Sequence, residues 1–372
     1  MMQGNSLIAV IGGGNGAFAA AAHLTSKGLR VNLCDPYRDG ESLHSLMADK
    51  KLNHTGSFLG EGSVVLNKVT ASIGEAVEGA DLVLVCVPTS THAAMAKWLA
   101  PVLEKDAAVL LDPGHTGGAL NFKHAILQAG YKGDLVLGET NTLTYIARKS
   151  DPTTINIGNF AKNIFISSLP GKNLERLLEK TTICFPELQP RPTVIGTSLR
   201  NLNAMMHPPG MILAAVWVEK EGGKWDFYYD AATPAVENLM EAIDNERIAI
   251  AEAWGEPMQP LIDLLASIGT TTQEAAATGS LMTAFLESVP NRYIKAPKSL
   301  DDRYMHEDFG YGVVPMLEIA RFVNVKTPVM DSLVTVASTI NKIDYRVDGL
   351  SKEKMGLAGM GYTEFKKYLE QG

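Results

Sequence analysis

Apolar positions in the first half of the chain fall in short, nearly continuous runs: residues 7–11, 29–34, 63–66, 69–72, 80–87, 107–111 and 135–137. Continuous rather than alternating runs are expected of strands covered on both faces, as in parallel sheets. Helical patterns lie between them, the clearest at residues 91–103. This alternation predicts an α/β Rossmann domain with a doubly wound parallel sheet. Two later runs, 155–157 and 163–166, predict a hairpin added to that sheet. From about residue 193 the segments lengthen and take on helical periodicity. Thr233-Pro234 reads as a helix start, with Thr as cap and Pro at the first position. That helix should end near Trp254, before Gly255 and Pro257. Residues 261–268, 280–287, 315–322 and 329–343 also read as helices. The second half is therefore expected to be an all-α domain. Pro190-Arg191-Pro192 marks the boundary, giving residues 1–190 and 191–372.

The first strand runs into Gly12-Gly13-Gly14-Asn15-Gly16-Ala17, and an Ala-rich helical stretch follows. The spacing is G-x-G-x-x-A. Gly12 permits the tight turn, Gly14 lets a pyrophosphate approach the backbone, and Ala17 allows close helix–strand packing. Asn15 and Gly16 open the helix, whose N-terminal amides and dipole favour phosphate. Asp35 ends the second strand, about 20 residues on, where such folds place the acid that binds the adenosine ribose. Its charge favours NAD(H), because it would repel a 2′-phosphate. Arg38, three residues on, could soften this preference, but it reads first as a solvated surface residue; NADP(H) is the alternative. Ligands of open α/β sheets lie outside the carboxyl ends of the strands. Pro88, Gly114 and Glu139 sit at three such ends and join the expected cofactor site.

The 372 residues carry a formal charge of −8 and no long basic run, which argues against nucleic acid or anionic membrane as partner. No apolar stretch is long enough to span a bilayer, and the first strand begins too early for a leader peptide. Cys34, Cys86 and Cys184 are scattered in apolar runs without a C-x-x-C pair, as expected of free thiols in a reducing cytoplasm.

Hydride transfer to a carbonyl or imine needs a proton-handling group, and histidine suits it best. His207 lies in Asn203-Ala204-Met205-Met206-His207-Pro208-Pro209. Pro208 cannot donate to a carbonyl four residues back, so the helix is expected to break beside His207. Arg303 and Asp308 lie in Asp301-Asp302-Arg303-Tyr304-Met305-His306-Glu307-Asp308-Phe309-Gly310-Tyr311-Gly312. Five residues apart, they would not share one face of a regular helix, and the glycines predict a shaped loop. The single histidine of that stretch lacks metal-ligand spacing, so no metal is expected. Tyr228, Tyr229, Trp217 and Trp225 are aromatics available to a substrate pocket, although packing explains them equally well.

Four stretches together resemble the opine dehydrogenase family, especially its bacterial members that make N-(carboxyalkyl)amino acids. They are Gly12-Gly13-Gly14-Asn15-Gly16-Ala17, Pro113-Gly114-His115-Thr116-Gly117-Gly118-Ala119-Leu120, Asn203-Ala204-Met205-Met206-His207-Pro208 and Arg303-Tyr304-Met305-His306-Glu307-Asp308. The resemblance spans nearly the whole chain. It implies an NAD(P)-binding Rossmann domain joined to a helical domain like that of 6-phosphogluconate dehydrogenase, with the active site between them. It implies reductive condensation of an amino acid's amine with a 2-oxo acid such as pyruvate. By motif position His207 would be the catalytic histidine, Asp308 its carboxylate partner, and Arg303 the holder of a substrate carboxylate. His115 and His306 depart from the family pattern and are candidates for tuning substrate choice. A homodimer is expected by analogy. The rival readings are a glycerol-3-phosphate or ketopantoate-type reductase, which would rely on a lysine motif not seen here, and a non-catalytic NADH sensor.

Overall fold

The computed structural model describes residues 6–372. The chain forms two compact units. The first holds the chain up to Gly114, Gly118–Thr197 and Lys366–Gly372; the second holds His115–Gly117 and Ser198–Phe365. The first unit thus runs past the proline-rich stretch at 190–192 and takes back a short segment from the far end of the sequence.

Twelve strands build the first unit: β1 (Leu7–Ile11), β2 (Arg30–Cys34), β3 (Lys51–Thr55), β4 (Gly62–Val65), β5 (Lys68–Thr70), β6 (Leu82–Val85), β7 (Ala108–Leu111), β8 (Val136–Thr140), β9 (Tyr145–Asp151), β10 (Thr154–Phe160), β11 (Phe165–Ser168) and β12 (Gln189–Pro190). Eight of them form one sheet in the order β12-β11-β8-β7-β6-β1-β2-β5. The central strands are parallel, with β1 between β2 and β6, and only the β8–β11 pairing is antiparallel. Every residue of β1, β6, β7 and β8 is buried, as their unbroken apolar runs require. Helix α1 (Asn15–Ser26) covers the sheet with small side chains, Ala17 and Ala19–Ala22 all fully buried.

The added element differs from the expected hairpin. Residues 154–160 pair antiparallel with 145–151, whereas 165–168 joins the main sheet beside β8. The β9–β10 hairpin then belongs to a second sheet of order β4-β3-β10-β9. Alternation explains the assignment: Ile155 and Ile157 of β10 and Leu52 and His54 of β3 are buried on one face while their neighbours are more exposed. Residues 165–168 are buried throughout and suit the main sheet instead.

The second unit is helical. Its longest helix, Pro234–Ala253, starts as its sequence dictates, with Thr233 Oγ1 accepting from the Val236 amide and Pro at the first position. The buried Arg247 donates to Asp244 of the same helix and to the carbonyls of Leu199 and Gln259. Two local expectations are corrected. Asn203–Leu213 is one helix through Pro208 and Pro209, because proline presets a helical φ and Met205, Met206 and Met211 are buried along its length. The stretch expected as a loop is a short helix, Arg303–Asp308, continued by a π-helical turn at Phe309–Val313. There the glycines serve packing: a Cβ on Gly312 would press against Ala204 at 2.8 Å.

Candidate active site

In the first unit, the strand ends converge on the glycine turn. Gly12 has a φ of +136°, and a Cβ there would run into the Cys86 carbonyl oxygen just beyond β6. Its amide donates to the Cys34 carbonyl at 2.7 Å. Only glycine fits so close an approach of neighbouring strand ends. Gly14 caps α1, and a Cβ there would meet nothing within 4 Å, so open space lies over the helix N-terminus. No acidic side chain occupies the first turn. Backbone donors, a positive dipole end and a clear approach fit the pyrophosphate of a dinucleotide. Ala17 is fully buried beneath the turn, and Gly16 packs against Leu143.

Asn15 takes a part that its sequence position did not reveal. Its Oδ1 accepts from the Lys149 amide at 2.9 Å and so pins β9 over the turn. The Lys149 ammonium lies 3.4 Å from the Gly13 carbonyl oxygen and 3.6 Å over the Phe18 ring. Burial lowers its pKa, while Asp35 and Asp151 hold it up. Asp35, at the end of β2, accepts from the Tyr37 amide at 3.1 Å and from the Ser42 hydroxyl at 2.5 Å. With Tyr37, Arg38, Ser42 and Lys149 it lines a cavity of about 540 Å³. Asp35 thus faces this cavity with its oxygens already engaged by protein donors that any ligand there would have to share.

The remaining expected cofactor residues separate. Pro88 is exposed just past β6. Gly114 and Glu139 turn inward against each other, since a Cβ on Gly114 would strike the Glu139 side chain. Glu139 is fully buried; its carboxylate accepts from the Ala119 amide at 2.8 Å and from the Thr197 hydroxyl at 2.5 Å. Asp112, beside it, accepts from the Thr144 amide (3.0 Å) and from the hydroxyls of Thr144 (2.6 Å) and Thr140 (3.1 Å). Burial pushes its carboxyl up to about 6, against those hydrogen bonds.

In the second unit, His207 sits on the helix at Asn203–Leu213 and is 2 % exposed. Its Nδ1 is 2.6 Å from Asp308 Oδ2. A carboxylate only accepts, so Nδ1 carries the hydrogen and Nε2 presents its lone pair. That lone pair faces the Tyr228 hydroxyl at 2.5 Å. The Tyr304 ring stacks on the imidazole, centroids 3.7 Å apart and planes at 10°. Burial pushes the phenols of both Tyr228 and Tyr304 up.

Arg303 and Asp308 open and close the same short helix. Arg303 is largely exposed, with Nε 3.3 Å from Glu307 Oε2. Burial works against its charge, but Glu307 and Asp308 outweigh that and hold it cationic. Glu307 is buried, and its Oε1 also lies 3.8 Å from His115 Nδ1. Burial lowers the His115 pKa despite the nearby Glu307 and Asp308 carboxylates. His306 stands apart, between Asp301 Oδ1 (2.8 Å) and Tyr345 Oη (2.9 Å). His207, Asp308, Tyr228, Tyr304, Arg303, Glu307 and His115 thus gather within one unit. Of the four aromatics marked in the sequence, Tyr228 bonds His207, whereas Trp217 and Tyr229 are exposed. Tyr304, Glu307 and Lys149 were not singled out; the first two adjoin Arg303 and Asp308, which is the one signal they carried. Among the described residues no group of His, Cys, Asp and Glu side chains is placed to hold a metal ion, and no helix is long and apolar enough to cross a membrane.

Residues 190–341 match the family model described as NAD/NADP octopine/nopaline dehydrogenase, alpha-helical domain. Over 97 % of its length the chain is 31 % identical to an opine dehydrogenase of Arthrobacter sp. (strain 1C), spanning 98 % of that protein. The chain belongs to the opine dehydrogenase family. It is accordingly an NAD(P)-dependent oxidoreductase acting on CH–NH bonds. Residues 8–112 also match the ketopantoate reductase PanE/ApbA model, which marks the shared dinucleotide-binding architecture. In fold the chain is similar to octopine dehydrogenase solved with NADH and L-arginine (TM-score 0.77, 17 % identity, 95 % of this chain and 96 % of that one). It is also similar to yersinopine dehydrogenase solved with NADP+ (TM-score 0.72, 17 % identity, 100 % and 99 %).

Proposed function

We propose that this opine dehydrogenase condenses the amine of an L-amino acid with a 2-oxo acid, pyruvate first among them, and reduces the imine to an N-(carboxyalkyl)amino acid. The observation that carries this reading is the buried His207, fixed at Nδ1 by Asp308 and turned at Nε2 toward an oxygen. Such an imidazole can take a proton from the attacking amine and return it to the hydroxyl that leaves as water. Asp308 fixes the tautomer and steadies the imidazolium between those steps. Arg303, cationic and exposed, suits a substrate carboxylate. When bound, NADH supplies the hydride that reduces the imine carbon. The residues of the glycine turn hold its pyrophosphate, and Asp35 receives the ribose. NADH is preferred over NADPH because the Asp35 charge disfavours a 2′-phosphate.

The test is NADH oxidation, followed by absorbance, with pyruvate alone and then with a panel of amino acids. Oxidation requiring both partners is expected, with NADPH the poorer donor. Oxidation by a keto acid alone would instead indicate a simple reductase, the chemistry named by the second family model. His207→Ala should lower turnover by about 10²–10⁴-fold at unchanged NADH affinity. A loss of only a few-fold would remove His207 from this role.

A further inference from the structure

Alternation along β9 turns Tyr145, Ala147 and Lys149 to one face and leaves Arg148 exposed on the other. The first face lies on helix α1. Tyr145 Oη is 2.8 Å from His23 Nδ1, and the Lys149 ammonium is 3.6 Å over the Phe18 ring. The Lys149 amide donates to Asn15 Oδ1, so the strand is tied to the residue that opens the helix. The ammonium thereby comes to the glycine turn itself, 3.4 Å from the Gly13 carbonyl oxygen.

An ammonium has three hydrogens to donate, and it needs negative charge beside it once water is removed. Lys149 has one long contact to a carbonyl oxygen and one ring face. Among the described residues no carboxylate forms an ion pair with it. Asp35 and Asp151 line the same cavity, but their oxygens are engaged elsewhere. Asp35 accepts from the Tyr37 amide and the Ser42 hydroxyl, and Asp151 from the Thr153 amide and hydroxyl. Arg38, the other cation lining that cavity, is 3.6 Å from Glu41. Beside Lys149 the N-terminus of α1 also lacks an anion: no acidic side chain occupies its first turn, and open space lies over Gly14. Burial lowers the Lys149 pKa, a cost that a phosphate at the turn would offset.

We infer that Lys149 is a further cofactor-binding residue, whose ammonium donates to the pyrophosphate of the bound dinucleotide and completes a phosphate site with the amides of helix α1. The inference rests on the proposed placement of that pyrophosphate at the glycine turn. The lysine acts as fixed charge and donor, and no proton changes place. Because the pyrophosphate is common to both cofactors, Lys149 raises affinity for NADH and NADPH alike. The choice between them is left to Asp35.

Lys149→Met keeps an unbranched stem over Phe18 and removes the charge. Measured by NADH fluorescence and by calorimetry, it is expected to bind NADH, NADPH and ADP each about 10–100-fold more weakly. Adenosine, which has no phosphate, should bind as it does to wild type, and the melting temperature of the free protein should barely move. Lys149→Arg should recover most of the affinity. Added salt should weaken NADH binding more steeply in wild type than in Lys149→Met. A loss confined to NADPH would place Lys149 at the ribose phosphate and overturn the inference. So would unchanged affinities with a lowered melting temperature, the mark of a lysine that only braces β9 on α1. Gly14→Asp puts a carboxylate into the open space over the helix N-terminus and tests the placement separately. If it abolishes NADH binding while Lys149→Met does not, the turn holds the pyrophosphate and the inference alone fails. If Lys149→Met weakens NADH and ADP while Gly14→Asp does not, Lys149 stands as a phosphate ligand and the placement at the turn fails. Binding indifferent to both substitutions removes both.

Discussion

Asp112 of the first unit and Asp308 of the second are both carboxylates shut away from solvent, 0 % and 2 % exposed. Their partners make them opposites. Asp112 is surrounded by neutral donors, an amide and two threonine hydroxyls that bind the β7 end to the β8–β9 connection. None of these can change charge in the working range of pH. Burial dominates, and the acid is pushed up to about 6. Asp308 instead faces a histidine, which can become a cation. Its charge is then matched whenever the imidazole takes a proton, and it costs most when the imidazole is neutral. Burial alone therefore does not mark a working acid. A buried acid works when its partner can itself titrate and has a second atom turned toward a reactant.

The largest expected effect tests the working side of this contrast. Asp308→Asn keeps the shape but lets an amide donate toward His207, favouring the wrong tautomer. Turnover should fall by about 10³–10⁴-fold with NADH affinity and melting temperature nearly unchanged. A drop confined to stability would make Asp308 a second Asp112.

The scaffold side is read from pH. Because the folded-state pKa of Asp112 is raised, its protonated form favours the fold. That contribution is full below the unfolded value of 3.8 and is lost as pH rises through about 6. Between those limits wild type should gain stability relative to Asp112→Asn as pH falls, by at most about 3 kcal/mol. Chemical denaturation of both proteins at several pH values measures it, and a pH-independent difference would contradict the raised pKa.

The smallest effect concerns Glu139, expected from sequence to serve the cofactor but bonded in the structure to Ala119 and Thr197. If it is a scaffold acid like Asp112, Glu139→Gln should cost about 1–3 kcal/mol of stability and leave the NADH dissociation constant within twofold. A tenfold weaker NADH complex with unchanged stability would return Glu139 to the cofactor site.

These contrasts also show what the sequence could carry. The parallel sheet was legible because strands covered on both faces leave continuous apolar runs, and the long helix because Thr233-Pro234 states its start locally. The β9–β10 hairpin was misassigned because Tyr145–Asp151 has polar residues at most positions facing solvent, and its apolar signal is thin. The prolines after His207 read as a break because the local rule counts a missing donor and cannot count the packing that holds the helix together. His207 and Asp308 were recoverable by family motif, but not by spacing, since 101 residues separate them. Lys149 remained hidden, and Tyr228 was marked only as one of four aromatics, for the same reason: their value lies in where a sheet and a short helix carry them, and neither belongs to a local pattern.

The segment Lys366–Gly372 counts with the first unit, although the whole second unit lies between it and Thr197 in sequence. Leu369 is buried there, and Lys123 lies 4.5 Å from the centre of the Tyr368 ring. A ribosome makes this chain in one direction, so the cofactor-binding unit is begun first and finished last. It must wait, with one patch of its core uncovered, while some 170 intervening residues are made. For anyone wishing to borrow this unit as a nucleotide-binding module, cutting after Thr197 would leave that patch bare. A loop returning residues 366–372 to it would be the shorter route to a self-sufficient domain.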